Sequence, residues 1–199
     1  MRLAIFASGR GSNFSAIVKA VKQGKIKARK VVLVCDQPEA LVIKRAQKVK
    51  VLVIIVRRED FESRVSFERA IISRLVNYKI DLIALAGFMR MLSADFVKKY
   101  HNRIINIHPS LLPKFKGSSA ISDAFKAKVK STGVTVHFVD AKMDHGPIIL
   151  QQEVIIKKGM RLTALEKRIH VLEHQLYPQV IQAFINGKIK MRNGKVLWS

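Results

Sequence analysis

Apolar residues along this chain come in two arrangements: short continuous runs, and longer stretches in which they recur every third or fourth position. The first reads as strand and the second as helix, because side chains repeat with a period of about 2 in one and about 3.6 in the other. On that basis Leu3–Ala7 is a strand, Asn13–Gln23 a helix, Lys30–Cys35 a strand, Glu39–Lys48 a helix and Val51–Val56 a strand. Glu62–Tyr78 is then a long amphipathic helix, Asp81–Ala86 a strand, Ala94–Tyr100 a short helix and Arg103–His108 another strand. This alternation is a βαβ series. Runs such as VVLVC and VLVIIV lack the polar alternation of a half-exposed strand. They predict burial on both faces, and so an α/β protein with a mostly parallel sheet covered by helices on both sides. Such sheets open their sites at the C-terminal ends of the strands.

Beyond His108 the pattern loosens. The segment HPSLLPKFKG has two prolines and a glycine and reads as a loop. Gly133–Val139 and Ile148–Ile156 are further strands, flanking the irregular DAKMDHGP. Thr163 and Glu166 have capping-box spacing for a helix that runs to Asn186-Gly187, and Asn193-Gly194 marks a closing hairpin in KIKMRNGKVLW. Neither a repeat nor a linker interrupts this order, so residues 1–199 are expected to form one domain.

Composition narrows the class. Apolar residues make up 49% of the 199 residues, with only 10 Gly and 5 Pro, which is a core-forming composition rather than a disordered or collagen-like one. The longest apolar runs, Val51–Val56 and Leu82–Ala86, fall far short of the roughly eighteen residues of a membrane span. Leu3–Ala7 is too short for the apolar region of a signal peptide, so a cytoplasmic protein without a membrane partner is expected. The single Cys35 cannot form an internal disulfide and reads as a buried small hydrophobe. The net charge of +23 attracts anions. Yet its densest stretches, Lys19–Lys30 and Lys114–Lys130, mix Lys with apolar residues and carry no zinc-finger or aromatic-interleaved pattern. A solvated basic surface is therefore expected, with no specific nucleic-acid partner.

Three places carry candidate chemistry. Ser8-Gly9-Arg10-Gly11-Ser12-Asn13 lies between the first strand and the first helix, where glycines let the backbone approach an anion and free helix amides point at it. The segment lacks the Lys-Ser/Thr of a Walker loop and the third glycine of a dinucleotide fingerprint, so a phosphomonoester fits better. Asp36, at the end of the second strand, keeps a ribose-holding dinucleotide reading open, and a merely tight turn is the plain alternative. Asn106 and His108 share one side of a strand end that is otherwise apolar. An amide donor beside an imidazole is what a developing oxyanion requires, although a lone strand histidine is as often structural. Asp144, in the loop after His137-Phe138-Val139, is a carboxylate that would favour the imidazolium form of His108. No HExxH or fixed two-His spacing occurs, so no metal site is expected, and no nucleophile motif points to a covalent intermediate.

With those residues in place, the chain resembles the folate-dependent formyltransferases, and among them the phosphoribosylglycinamide formyltransferase family. ASGRGSN, LAGFMRML, INIHPSLLPKFKG, STGVTVHFVD, MDHGPIILQ and HVLEHQLYP follow that family's order and spacing over nearly the whole chain. The wider group includes methionyl-tRNA formyltransferase and formyltetrahydrofolate deformylase, which carry added domains for which this length leaves no room. The resemblance implies a Rossmann-like formyltransferase fold and transfer of a formyl group from 10-formyltetrahydrofolate to the amine of glycinamide ribonucleotide in purine biosynthesis. It makes Asn106, His108 and Asp144 the catalytic trio, with Asp144 also ordering a proton-shuttling water. It assigns Gly11, Ser12, Asn13, His170 and Glu173 to the ribonucleotide. Arg64, Met89, Arg90, Met91, Leu92, Asn106, Asp140, Ala141, Lys142, Met143 and Asp144 fall to the folate. It further implies a cis Leu112–Pro113 bond and a monomer or homodimer acting on small molecules without a metal.

Two departures stand out. Ser119 occupies a position where the family usually has histidine, and Arg10 replaces a frequent Asn. Two alternatives stay open beside the transferase: a deformylase-like hydrolase in which water replaces the amine, and a basic nucleic-acid-binding module.

Overall fold

The computed structural model describes residues Met1–Ser199. Its chain order is β1 (Arg2–Phe6), α1 (Ser12–Lys22), β2 (Lys30–Cys35), α2 (Leu41–Lys48), β3 (Leu52–Ile55), a 3-10 turn at Arg58–Asp60, α3 (Arg64–Val76) and β4 (Leu82–Leu85). There follow α4 (Ala94–Lys99), β5 (Ile104–His108), α5 (Ala120–Lys126), β6 (Ser131–Phe138), β7 (Ile148–Ile155), α6 (Leu162–Ile185), β8 (Ile189–Arg192) and β9 (Lys195–Trp198). Seven strands form one sheet in the order β3-β2-β1-β4-β5-β6-β7, while β8 and β9 pair as a separate hairpin. Strands β3 through β5 are mutually parallel, and β6 and β7 close the sheet with antiparallel pairings. The order reverses between β1 and β4, so the loops leaving those strands splay apart and open a crevice there.

Alternation along the strands divides the interior in two. Leu3, Ile5 and Ala7 of β1 and its exit join a core of 32 buried residues that includes Phe14 and Ile17 of α1 and Leu165, Ile169 and Tyr177 of α6. Ala4 and Phe6 face the other way, into a core of 18 residues with Phe67 and Ile71 of α3 and Phe96 of α4. Helices thus cover both faces, as the continuous apolar runs predict. The strand VLVIIV is an exception. As β3 it lies at the sheet edge with Leu52 and Ile55 exposed.

Several helix boundaries differ from the pattern, each for a local reason. Helix α3 starts at Arg64 because Ser63 takes an extended backbone and its hydroxyl accepts from the Ser66 amide, with Ser66 bonding back in a capping box. The expected Thr163/Glu166 box does not form: Leu162 is already helical and Arg161 holds the cap position, so Thr163 sits inside the first turn. The hydrophobic pattern does not mark α5 at all, since seven residues amid Ser and Lys present barely two helical turns. No helix is long and apolar enough to cross a membrane.

At the C-terminal ends of the strands, buried polar groups fix the loops. The fully buried Tyr177 hydroxyl lies 2.8 Å from the Leu85 carbonyl and 3.0 Å from that of Ile105, tying α6 to β4 and β5 just below the crevice. Glu68 of α3 accepts from the Ser93 amide at 2.7 Å and from its hydroxyl, fixing the end of the loop after β4. Thr135 of β6 donates to the Ser110 carbonyl (2.6 Å) and accepts from the Leu112 amide (3.1 Å), which pins the loop after β5. The Leu112–Pro113 bond in that loop is cis.

Candidate active site

The first half of the crevice is built from contiguous sequence. Strand β1 ends at Phe6, and the chain turns through Ser8–Gly11 into α1, whose first residue is Ser12. Gly11 sits at the helix cap with φ +72°, a left-handed conformation that side chains disfavour. A Cβ there would fall 2.4 Å from Val42 Cγ2, so the close docking of α2 also demands glycine. The Val42 amide donates to the Gly9 carbonyl at 3.1 Å, locking α2 onto the loop. Buried Asn13 donates from Nδ2 to Glu173 Oε2 at 3.2 Å, and His170 Nδ1 lies 3.0 Å from the same oxygen. Helix α6 thereby delivers a carboxylate to the rim of the Gly11–Asn13 turn, with its second oxygen left free. The hydrogen bond to Glu173 raises the His170 imidazole above its ordinary range.

The second half is assembled from distant segments. Asn106 and His108 project from the same face of β5, with Ile105 and Ile107 turned into the larger core. Strand β6 lies antiparallel to β5 and sets His137 directly across from Asn106. A register shift between Val136 and His137 in the pairing with β7 occurs at that residue, where bulges commonly re-aim side chains. His137 Nδ1 is 2.8 Å from the Phe138 carbonyl, which places its proton on Nδ1 and leaves Nε2 to accept from Asn106 Nδ2 at 3.2 Å. Burial holds the His137 imidazole below its ordinary range, so this acceptor stays neutral.

Asp144 arrives from the loop after β6 with a left-handed backbone, φ +46°. Its Oδ2 accepts from the Gly117 amide at 2.9 Å and lies 3.5 Å from His108 Nδ1. Its Oδ1 lies 3.5 Å from Asn106 Nδ2. His108 Nε2 is 2.8 Å from the Phe115 carbonyl, so both ring nitrogens face oxygen atoms. The base of the Asp144 loop is closed by Asp140 Oδ2 against His145 Nδ1 at 2.6 Å. Gly146 packs so tightly that a Cβ would meet the Phe138 carbonyl oxygen at 2.0 Å. The two halves face a single cleft of about 840 Å³.

Residues 1–181 match the family model described as formyl transferase. The chain belongs to that family. It is 46% identical over 184 residues to the phosphoribosylglycinamide formyltransferase of Bacillus subtilis, spanning 92% of this chain and 94% of that protein. Among solved structures, glycinamide ribonucleotide transformylase 1 from Geobacillus kaustophilus is 49% identical, with a TM-score of 0.89 over 92% of this chain and 97% of that one. The Symbiobacterium toebii transformylase 1 structure is 37% identical, with a TM-score of 0.95 over 100% of this chain and 93% of that one.

In this formyltransferase the large cleft gathers Gly11, Ser12, Asn13, His170 and Glu173 at one end and Asn106, His108 and Asp144 further along. Met89, Arg90, Met91 and Leu92 line it from the loop after β4, and Asp140, Lys142 and Met143 from the loop after β6. Arg64 does not reach it. It lines a neighbouring cleft of about 360 Å³ that shares the Met89–Leu92 wall. Ala141 lines neither cleft, being exposed at the loop tip. Asp36 is taken by Arg90, whose Nε lies 2.5 Å from its Oδ2. That pairing removes the ribose-holding role a dinucleotide would need. Ser119 is exposed, forms no side-chain cap and does not line the cleft, so no hydroxyl there substitutes for a histidine beside the trio. The sequence pattern did not point to His137, Arg45 or Gly117 as cleft-lining residues, or to the Phe115 carbonyl against His108. His137 was detectable only through its register opposite Asn106, and a backbone amide leaves no sequence signal. No group of three or more His, Cys, Asp or Glu gathers in metal-binding geometry.

Proposed function

We propose that residues 1–199 act as one domain that transfers the formyl group of 10-formyltetrahydrofolate to the amine of glycinamide ribonucleotide. The products are N-formylglycinamide ribonucleotide and tetrahydrofolate, a step of purine synthesis in the cytoplasm. The observation that carries this reading is the Asp144 carboxylate lying 3.5 Å from the Asn106 amide and 3.5 Å from the His108 imidazole, in the same cleft as the Gly11–Asn13 turn. Backbone amides of that turn hold the phosphate, and the free oxygen of Glu173 holds ribose hydroxyls or the glycyl amine. The pterin lies against the Met89–Leu92 and Asp140–Asp144 loops, where backbone groups read its edge and Met side chains cover its face.

The chemistry follows from which hydrogen bonds are replaceable. One Asn106 N–H is committed to His137, while the other reaches Asp144 only at 3.5 Å and can turn to a substrate oxygen. As the amine attacks the formyl carbon, Asn106 Nδ2 and His108 Nδ1, whose contact with Asp144 is likewise a long 3.5 Å, donate to the oxygen that becomes negative. Asp144 balances the charge on His108 and accepts, through a bound water, the proton that the attacking nitrogen loses. Breaking the bond from carbon to N10 of the folate returns one proton to that nitrogen. No covalent enzyme intermediate is needed.

The test is tetrahydrofolate formation from 10-formyltetrahydrofolate, with and without glycinamide ribonucleotide. The reading requires product only when the ribonucleotide is present. Formate release without it would identify a hydrolase. No turnover together with salt-sensitive binding to duplex would favour the nucleic-acid module.

A further inference from the structure

The chain leaves the sheet after Phe138, returns to it at Pro147, and carries Asp144 on the returning limb. Backbone closes the base of this loop. The Phe138 amide donates to the Pro147 carbonyl at 2.9 Å, and Gly146 lies so close that a Cβ would stand 2.9 Å from the Phe138 carbonyl carbon and 3.2 Å from the Asp140 amide nitrogen. Above that base, none of residues 140–146 takes part in a backbone–backbone hydrogen bond. Side chains hold the loop instead. Asp140 spends both carboxylate oxygens inside it, Oδ1 accepting from the Lys142 amide at 2.9 Å and Oδ2 from His145 Nδ1 at 2.6 Å. Partial burial pushes the Asp140 carboxyl up, but the hydrogen bonds from His145 and the Lys142 amide outweigh it and hold the group below its ordinary range. Asp140 is thus an ionised acceptor, and His145 Nδ1 carries the proton between them.

Asp144 stands one residue before that ring, with its backbone at φ +46°. A residue other than glycine keeps a left-handed conformation where its surroundings impose it. From outside the loop, the Asp144 carboxylate is met by the Gly117 amide at 2.9 Å and, more loosely, by Asn106 and His108 at 3.5 Å. From inside, the chain on either side of it is tied together by Asp140 and His145. His145 is half exposed and does not line the cleft, so it acts on whatever the cleft holds only through its neighbours. From this arrangement we infer that the Asp140–His145 pair is a latch that positions Asp144, with His145 a positioning residue for the formyl-transfer step. The inference rests on the proposed role of Asp144 and adds to it the side chain that keeps this carboxylate against Gly117 and the reacting groups. Because the pair is open to solvent, its effect is modest in size.

The experiment reads the latch in two ways. In the transfer assay, His145→Ala is expected to lower kcat about two- to fivefold with the ribonucleotide KM unchanged. His145→Asn, whose amide nitrogen stands where the ring Nδ1 does, restores most of the rate. An unchanged kcat, a change confined to KM, or no recovery in His145→Asn overturns the assignment. The second reading needs no turnover: exchange of the Gly117 amide proton, followed by NMR, reports whether Asp144 Oδ2 still covers it. His145→Ala should speed that exchange by a similar factor, and His145→Asn should not. A kcat loss with Gly117 exchange unaltered also overturns the latch, since the loss would not pass through Asp144. If the wild type fails to use the ribonucleotide, the proposed function falls, and the exchange comparison alone then upholds or refutes the latch. Should His145→Ala not fold, His145→Gln takes its place in both measurements.

Discussion

The two ends of the cleft are made in opposite ways. The glycine turn uses six consecutive residues, Ser8–Asn13, whose geometry is dictated by one left-handed glycine and the start of a helix. The proposed reaction centre gathers residues 106, 108, 115, 117, 137 and 144, which meet only because β6 runs antiparallel to β5 and the loop after each strand folds over its end. A contiguous site is specified by local conformational preference. A dispersed one is specified by strand register, and each of its side chains must be oriented by a neighbour. That is why Asn106 leans on His137, His108 on the Phe115 carbonyl and Asp144 on the Gly117 amide.

The contrast can be broken at either end. The largest effect is expected from Asn106→Ala, which on the proposed mechanism removes the donor to the developing oxyanion and should lower kcat about a hundred- to a thousandfold with little change in either KM. Gly11→Ala attacks the other end. The left-handed backbone and the contact with Val42 should raise the ribonucleotide KM tenfold or more and lower Tm, while folate KM stays near wild type. His137→Leu keeps the core volume and deletes the acceptor that orients Asn106, so a roughly tenfold fall in kcat without a change in ribonucleotide KM is expected. An effect confined to KM would show that His137 serves binding instead. Tyr177→Phe strips a shared hydrogen bond from beneath both ends and should cost about 1–3 kcal/mol of stability in a urea titration, with kcat barely altered.

The smallest effect concerns pH, and its sign separates the two ends. Burial depresses His137 from its ordinary 6.5, so the unfolded chain binds the proton more readily. Its contribution to stability is complete above 6.5 and is lost as pH falls toward the depressed value. His170 is raised from 6.5 by Glu173, so its contribution is complete below 6.5 and fades as pH rises through the raised value. Urea midpoints measured from about pH 5 to about pH 8 should therefore lose acid sensitivity in His137→Leu and lose acid-side stabilisation in His170→Gln. The same slope in both variants would show that the two histidines are not opposed.

The parallel half of the fold was legible because each strand there is a compact apolar run and each helix a periodic one. That Ser8–Asn13, Asn106 and His108 face the cleft was legible for a related reason: polar residues stand where an apolar strand ends. Legibility failed where an element's character depends on what lies beside it. VLVIIV looks as buried as VVLVC, yet β3 is an edge strand because nothing pairs beyond it. Asp36 looks free to hold a ribose until Arg90 arrives from 54 residues away. Where Arg64 and Ala141 sit was likewise set by the fold: the first lines the adjoining cleft beside Met89–Leu92 and the second is exposed.

Taken alone, the order of residues determined what short-range forces decide: strand against helix, the glycine that must turn left-handed, and which polar groups stand at strand ends. Tertiary structure decided the partners. The pairing of Asn106 with His137, of Asp144 with Gly117 and of Arg45 with Ser15 spans 31, 27 and 30 residues respectively. Hydrogen bonds act over about 3 Å, so groups that far apart along the chain interact only after the sheet has fixed their register.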